Sequence, residues 1–452
     1  MKTRKPLVVA IATVATGAIW PQLGMAGGYA LNEQGAHASG TANAGAAANP
    51  QNAAILYFNP AGMTKLEGTQ ISFGAAVLEI DPEFSGSAVD NLENPVEGDD
   101  GGDFIGTSVI PNLYLTHTAD GFSTGIGIYV PYGIKANYDN DFEGRYFADK
   151  TELQVITLQP SFAFELTEQL SLGFGVNAQY AEGRISKWVD YSRQELLLGP
   201  LPDGYFDTEG DDWEFGWTAG VLFSPTESTN IGLTYRSETD LELEGEAELT
   251  GPFGPLGSFA KLEEDAVVPL PTPETATLAI KHDLNDQWTL LAGATWTRWS
   301  RFKNLDIWSD QGGGFVSAVT SQNYGPPATI IGHVPENWEN SWSAAIGAAY
   351  HLNEQWTLRA GYAWDESPVP EEFRTARIPS SDRHWLTVGA GWKEPQSGWA
   401  VDAAFGYLII DDIEVDEQEY TVASLTPISD ARLNAEYDID AWGLALQVSK
   451  GF

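Results

Sequence analysis

The chain has no cysteine, so disulfides, CxxC redox chemistry and cysteine-ligated zinc are excluded. Basic residues are scarce: 23 Lys and Arg stand against 63 Asp and Glu, for a formal charge of -40. A nucleic-acid partner held on a basic face is therefore disfavoured. There are only six His, with no metal-spaced cluster and no nucleotide loop, so neither a metal nor a cofactor is expected. No segment after residue 26 approaches 18 consecutive apolar residues, which leaves the rest of the chain without a spanning helix.

What is abundant is Gly (47), Trp (16), Tyr (17) and Phe (20), the profile of many strands, aromatic belts and tight turns. A mean hydropathy of -0.21 does not oppose a membrane barrel, because only every second strand residue would face lipid. Residues 1–26 read as a secretory signal peptide, with Lys2, Arg4 and Lys5, an apolar run from Leu7 to Ile19, and Gly24, Met25 and Ala26 before the cut. Its loss would take the formal charge to -43. Glu79 to Asp103 holds nine acids and Asp411 to Glu419 six, read as solvated outer loops rather than calcium sites.

Past residue 68 the pattern has period 2. Trp356, Leu358, Ala360, Tyr362 and Trp364 form one row; Leu170, Leu172, Phe174, Val176, Ala178 and Tyr180 another; Trp399, Val401, Ala403, Phe405, Tyr407 and Ile409 a third. Aromatics flanking aliphatics fit a lipid-facing row, and the opposite rows are mostly Gly, Ser, Ala, Asn and Gln. Parity puts Arg236 and Arg359 in the lumen, since an Arg facing mid-membrane lipid costs about 2–4 kcal/mol. Arg298 falls near a strand end, at an interface position. Six compact turns alternate with seven long connections, around 81–103, 136–150, 183–211, 241–271, 303–338, 366–382 and 411–435, which predicts fourteen strands. The fold class is all-β: a 14-stranded antiparallel transmembrane β-barrel in a bacterial outer membrane, with both ends on the periplasmic side. The last strand, from Trp442 to the terminal Phe452, is similar to the C-terminal signal read by the outer-membrane assembly machinery.

Fourteen strands enclose a hole too wide for barrel side chains alone to fill. Residues 27–68 are available as an N-terminal plug, with small residues that allow close backbone packing and an apolar run at Ile55 to Phe58 that a free linker seldom carries. Residues 69–452 form the barrel. In strand three Pro131 removes a ladder donor and Gly133 weakens pairing, so the wall is expected to be locally unpaired around Pro131, Tyr132 and Gly133. Gly121 to Gly125 matches GxSxG, but on a turn leading into a strand rather than a strand-to-helix elbow, and catalysis is not expected.

Leu31-Asn32-Glu33, Phe58-Asn59-Pro60-Ala61-Gly62-Met63, Pro131-Tyr132-Gly133, Gly144-Arg145-Tyr146-Phe147, Leu358 to Tyr362 and Ser367-Pro368-Val369-Pro370 follow one another in this order. In this the chain resembles the outer-membrane transporters for hydrophobic compounds typified by the long-chain fatty-acid transporter FadL, with aromatic-hydrocarbon channels as relatives. The resemblance covers essentially the whole mature chain. It implies passive transport: capture on a groove between the long loops after strands five and seven, binding in a lumenal pocket near the mature N-terminus, a plug shift, and lateral exit at a strand-three gap. Loop capture would fall on Leu197, Leu201, Phe206, Phe253, Leu256 and Phe259, and the pocket on Tyr29 and Leu31. Gating would fall on Asn59, Pro60, Ala61, Pro131, Tyr132 and Gly133. A substrate carboxylate in an apolar lumen needs a cationic or hydrogen-bonding partner; Arg184, Arg236 and Arg359 are candidates, with Arg145 further out, and each could instead pair with one of the many acids. The chain departs from the fatty-acid archetype at Ala46 to Pro50, which lacks acids, and at Glu182, where a basic residue would align; both bear on substrate rather than fold. Expected partners are a hydrophobic small molecule, outer-membrane lipid and lipopolysaccharide, and the assembly machinery, with the chain a monomer. Long-chain fatty acids are the expected cargo; the alternatives are an aromatic or alkane hydrocarbon uptake channel of the same family, or a polar-nutrient porin.

Overall fold

The alternating segments form fourteen antiparallel strands that close on themselves in the computed structural model, which describes residues 27–452. The signal-peptide reading falls on residues 1–26, outside them. Six strands are continuous from the start: β1 (Gly68–Val89), β2 (Gly106–Ala119), β3 (Phe122–Asn137), β4 (Lys150–Thr167), β5 (Leu170–Val189) and β6 (Gly204–Thr226). The next four are each broken near the outer membrane face: β7 (Thr229–Arg236 and Thr239–Gly251), β8 (Ala260–Thr272 and Thr275–Asp283), β9 (Trp288–Thr297 and Asn304–Ser309) and β10 (Ile330–Pro335 and Ser341–His351). Four complete the barrel: β11 (Trp356–Asp365), β12 (Arg383–Glu394), β13 (Trp399–Ile410 and Ile413–Glu417) and β14 (Arg432–Gly451). Closure comes from β1, which pairs with β2 on one side and with β14 on the other, from Gln70 opposite Gly451 to Val89 opposite Arg432.

Strand parity matches the expected rows. Trp356, Leu358, Tyr362, Val401, Phe405 and Leu444 are exposed, while Ser171, Asn177, Gln179, Asp402 and Gln447 on the alternate register are buried. Trp288 is opposite Tyr350, and Trp356 opposite Trp392, at one rim; Trp296 opposite Trp342 marks the other. A one-residue slip would turn every one of these rows inward, so the belts fix the register. Arg236 and Arg359 point into the lumen, where Arg359 Nη1 is 2.8 Å from Asp402 Oδ1. Arg298 is half exposed at its strand end and pairs with Glu274 at 2.8 Å.

The long connections are shorter than expected, because strands continue beyond the outer belt. The span 241–271 is mostly a hairpin, and 303–338 contains two strand segments and the helix α1 (Phe315–Tyr324). This also corrects the reading of a mainly small and polar interior. In the outer half of the barrel the inward rows are Ile134, Leu153 and Val155, Leu241 and Leu243, and Val268 and Leu270, which bury one continuous apolar cluster with Phe206, Trp299, Phe302 and Trp338. Only the inner half is lined by Gly, Ser, Thr, Asn and Gln. Strand extensions that leave the membrane have a protein core to bury, and their alternation carries no lipid signature that separates them from loop.

Residues 32–65 fill the inner half, largely as short helical turns, among them Ala36–Ser39, Ile55–Phe58 and Pro60–Lys65. Small residues on plug and wall allow main chains to touch. A side chain at Gly361 would come within 2.2 Å of the Thr41 carbonyl carbon, and one at Gly220 within 2.0 Å of Asn59 Oδ1, so neither position tolerates a Cβ without displacing the plug.

Candidate functional site

The N-terminal segment of the plug meets β3 where the wall is irregular. The ladder between β2 and β3 ends at Asn112 opposite Tyr129, and the pairing of β3 with β4 shifts register between Tyr129 and Tyr132. Pro131 has no N–H to donate, so a normal ladder cannot run through it. The edge this leaves is taken by the plug: Leu31 donates its amide to the Pro131 carbonyl at 2.9 Å, and Gly133 donates to the Tyr29 carbonyl at 2.8 Å. Gln34 Nε2 adds a bond to the Val130 carbonyl at 2.7 Å. The plug thus lends a three-residue pseudo-strand to a gap in the barrel wall, the geometry of β-strand addition.

The other end of the plug is wedged against β5 and β6. Asn59 Nδ2 donates to the carbonyls of Ala47 (2.8 Å) and Val221 (3.0 Å), and Asn59 Oδ1 accepts the Ala61 amide at 3.1 Å. Pro60 and Ala61 lie against Gly173, whose missing side chain makes the room. Asn59, Pro60 and Ala61 are fully buried, and one side chain satisfies three backbone groups that would otherwise be orphaned.

Four cavities follow the axis. The outermost, about 360 Å³, lies between the loops and is lined by Phe206, Phe253, Leu305, Ile331, Lys187 and Arg377 among others. Ile185 and Leu305 are shared with a second, of about 50 Å³, almost wholly apolar, whose floor is Tyr29. Tyr29 is packed edge-on to Trp299 at 4.6 Å between centroids, with Trp338 at 5.6 Å and Phe302 at 6.0 Å, and its hydroxyl donates to the Pro271 carbonyl at 2.6 Å. Below this aromatic plug lies a third cavity of about 160 Å³, bounded by Leu31, Pro131, Tyr132 and Arg236. It shares Asn32, Asn43 and Asp365 with a fourth, of about 120 Å³. Gly27 N donates to Asp365 at 2.8 Å, which ties the first described residue to β11.

Of the candidate cations, three are paired with acids. Arg184 binds Asp207 through two bonds of 2.9 and 2.6 Å, Arg359 binds Asp402, and Arg145 binds Asp203 at 3.2 Å. Arg236 has no acid partner among the described residues: it donates to the Tyr129 hydroxyl at 2.8 Å and the Tyr57 carbonyl at 3.1 Å, and stacks on the Tyr57 ring. The apolar loop residues divide in two. Phe206 and Phe253 line the outer cavity, whereas Leu197 and Leu256 are exposed on the loop tips and Phe259 packs edge-on to Tyr191. Leu201 is half-buried, its amide bonded to Glu195. Ser123 of the GxSxG match opens β3 and is bonded to Thr118.

Sequence reasoning missed Trp299, Phe302 and Trp338, which close the passage around Tyr29. Trp299 and Phe302 just before the 303–338 connection and Trp338 at its end, large aromatics among polar neighbours, were the available signal. It also missed Glu336, beyond the outer belt, which accepts the Trp338 indole N–H at 2.7 Å and whose carboxyl burial pushes up to about 8.

Residues 17–452 match the family described as outer membrane protein transport protein (OMPP1/FadL/TodX). The chain is 30% identical over 419 residues to a putative outer membrane protein of Neisseria meningitidis serogroup B, covering 86% of this chain and 87% of that one. It is 26% identical over 447 residues to the long-chain fatty acid transport protein of Escherichia coli O6:H1, covering 93% and 94%. Its fold is that of the crystal structure of a Pseudomonas aeruginosa FadL homologue, with a TM-score of 0.82 at 24% identity over 94% of this chain and 99% of that one. The chain belongs to the OMPP1/FadL/TodX family and is an outer-membrane transporter of hydrophobic compounds.

Proposed function

We propose that the protein carries long-chain fatty acids passively, in four stages: capture at the outer cavity, descent past Tyr29, withdrawal of the Tyr29–Leu31 segment from β3, and lateral exit through the freed gap. The observation that carries this reading is the ladder between β2 and β3, which stops at Asn112 and Tyr129 and, among the described residues, leaves plug residues bonded to the Pro131 and Gly133 edge. The two main-chain bonds that close the gap are each worth about 0.5–1.5 kcal/mol net, and opening it also breaks the Tyr29 hydroxyl bond to Pro271 and its aromatic packing. An apolar solute leaving sideways would never cross the polar inner half of the lumen. Arg236, buried beside Pro131 and Tyr132 without an acid partner, is a cation such a carboxylate would pass. Outer-membrane lipid and lipopolysaccharide would surround the aromatic belts, the terminal strand to Phe452 would be read by the assembly machinery, and the closed barrel suits a monomer.

The test is uptake of labelled oleate by cells that depend on this chain. Replacing Pro131 and Gly133 with residues that restore pairing (P131I with G133V) should cut uptake at unchanged surface expression. Undiminished uptake would sink lateral exit. A second reading, aromatic or alkane hydrocarbons, is favoured by the small, mainly aliphatic cavity above Tyr29; faster uptake of toluene than of oleate would select it. Rapid swelling of proteoliposomes in sugars would instead favour a polar-nutrient porin.

A further inference from the structure

The connection between β11 and β12 sends an arginine into the outer cavity. Arg377 lines that cavity and is 4% exposed. Its Nη1 donates to the Lys150 carbonyl (3.3 Å), Thr151 Oγ1 (3.4 Å) and the Ser186 carbonyl (3.0 Å). Those three bonds clasp the connection onto β4 and β5, but they use one nitrogen only. Among the described residues Nε and Nη2 have no hydrogen-bond partner, and no carboxylate lies within the 4.0 Å of an ion pair.

The neighbouring acids are engaged elsewhere. Asp149 accepts the hydroxyls of Ser186 (2.6 Å) and Tyr205 (2.5 Å). Glu419 is bound by Lys187 and by the Tyr324 hydroxyl. Glu417 accepts the Ala376 amide at 2.8 Å, and burial pushes its carboxyl up to about 7, so it supplies only part of a negative charge. A buried guanidinium without a contacting anion is costly, and a planar fork with free donors suits a carboxylate. The same cavity offers apolar wall from Phe206, Leu305, Ile307, Val319 and Ile331, and its volume of about 360 Å³ falls in the usual ligand range of about 300–1,000 Å³.

We propose that Arg377 anchors the anionic head of a long-chain amphiphile in the outer cavity and so sets a preference for carboxylates over uncharged lipids of equal length. This rests on reading the outer cavity as the first binding stop. Arg377 then selects among ligands the apolar wall alone would accept equally.

The test compares oleate with oleyl alcohol on the purified full-length barrel by equilibrium binding, with heat-modified mobility as the check on folding. Wild type should prefer oleate. R377M should lower that preference about tenfold, the scale of a lost charge-assisted contact, while alcohol binding stays within about twofold; R377K should recover part of it. An unchanged ratio in R377M overturns the anchor and leaves the cavity reading intact, as does equal weakening of both ligands, the mark of a clasp only. If neither amphiphile binds wild type, the cavity reading falls and the anchor with it.

Discussion

Leu31 donates its amide to the carbonyl of Pro131 at 2.9 Å, across what would otherwise be an unpaired edge of the barrel wall. The bond joins the start of the plug to the residue whose missing N–H breaks β3. In the proposed route plug position and wall integrity are one equilibrium: a solute that displaces Tyr29 to Leu31 would open the wall.

Asn59 should hold the opposite end of the plug still. N59A removes two donors and one acceptor from buried backbone groups, each costing about 1–3 kcal/mol when left unsatisfied. Planar-bilayer recordings should show conductance several-fold above wild type. A closed, wild-type trace would show that the anchor lies elsewhere.

The pair Arg359 and Asp402 lies inside the wall beside the plug residue Gly40. R359L strands a buried carboxylate and should destabilise the barrel by about 3–5 kcal/mol, whereas R359L with D402N should recover much of that loss. Thermal loss of heat-modifiable mobility reads both. Equal stability of the single and double variants would contradict the assignment.

Glu336 predicts a pH dependence on the outer side. Its folded carboxyl titrates at about 8, above the ordinary 4.5, because burial disfavours the anion. The contribution is fully present below about 4.5 and is lost as pH rises through about 8. Limited proteolysis of the connection around residues 303–338 should therefore quicken as pH rises from about 4.5 to about 8 and level off above it. E336Q should abolish the change; an unaltered profile would assign it to another group.

The barrel was legible because lipid imposes a period. Trp356 to Trp364 alternates so cleanly that strand, face and membrane rim follow together, and turn counting then gives fourteen. The plug was legible by contrast, as small residues with two apolar ends. The upper lumen was not. Leu241, Leu243, Val268 and Leu270 alternate like any strand, and nothing in one sequence says that they rise above the membrane to face each other. Arg377 was hidden for a related reason: its chemistry depends on which acids are already engaged by Lys187, Tyr205 and Ala376, and pairing over long sequence distances leaves no local trace.

In the proposed route the Ala30 segment must leave β3 for substrate to pass. Ala30 and Tyr132 form an antiparallel bridge, and the chain has no cysteine to compete, so A30C with Y132C can lock the segment by a single disulfide. Oleate uptake should fall at least about tenfold on oxidation and return on reduction, with surface expression unchanged. Full uptake by the fully oxidised barrel would show that substrate passes with the segment in place.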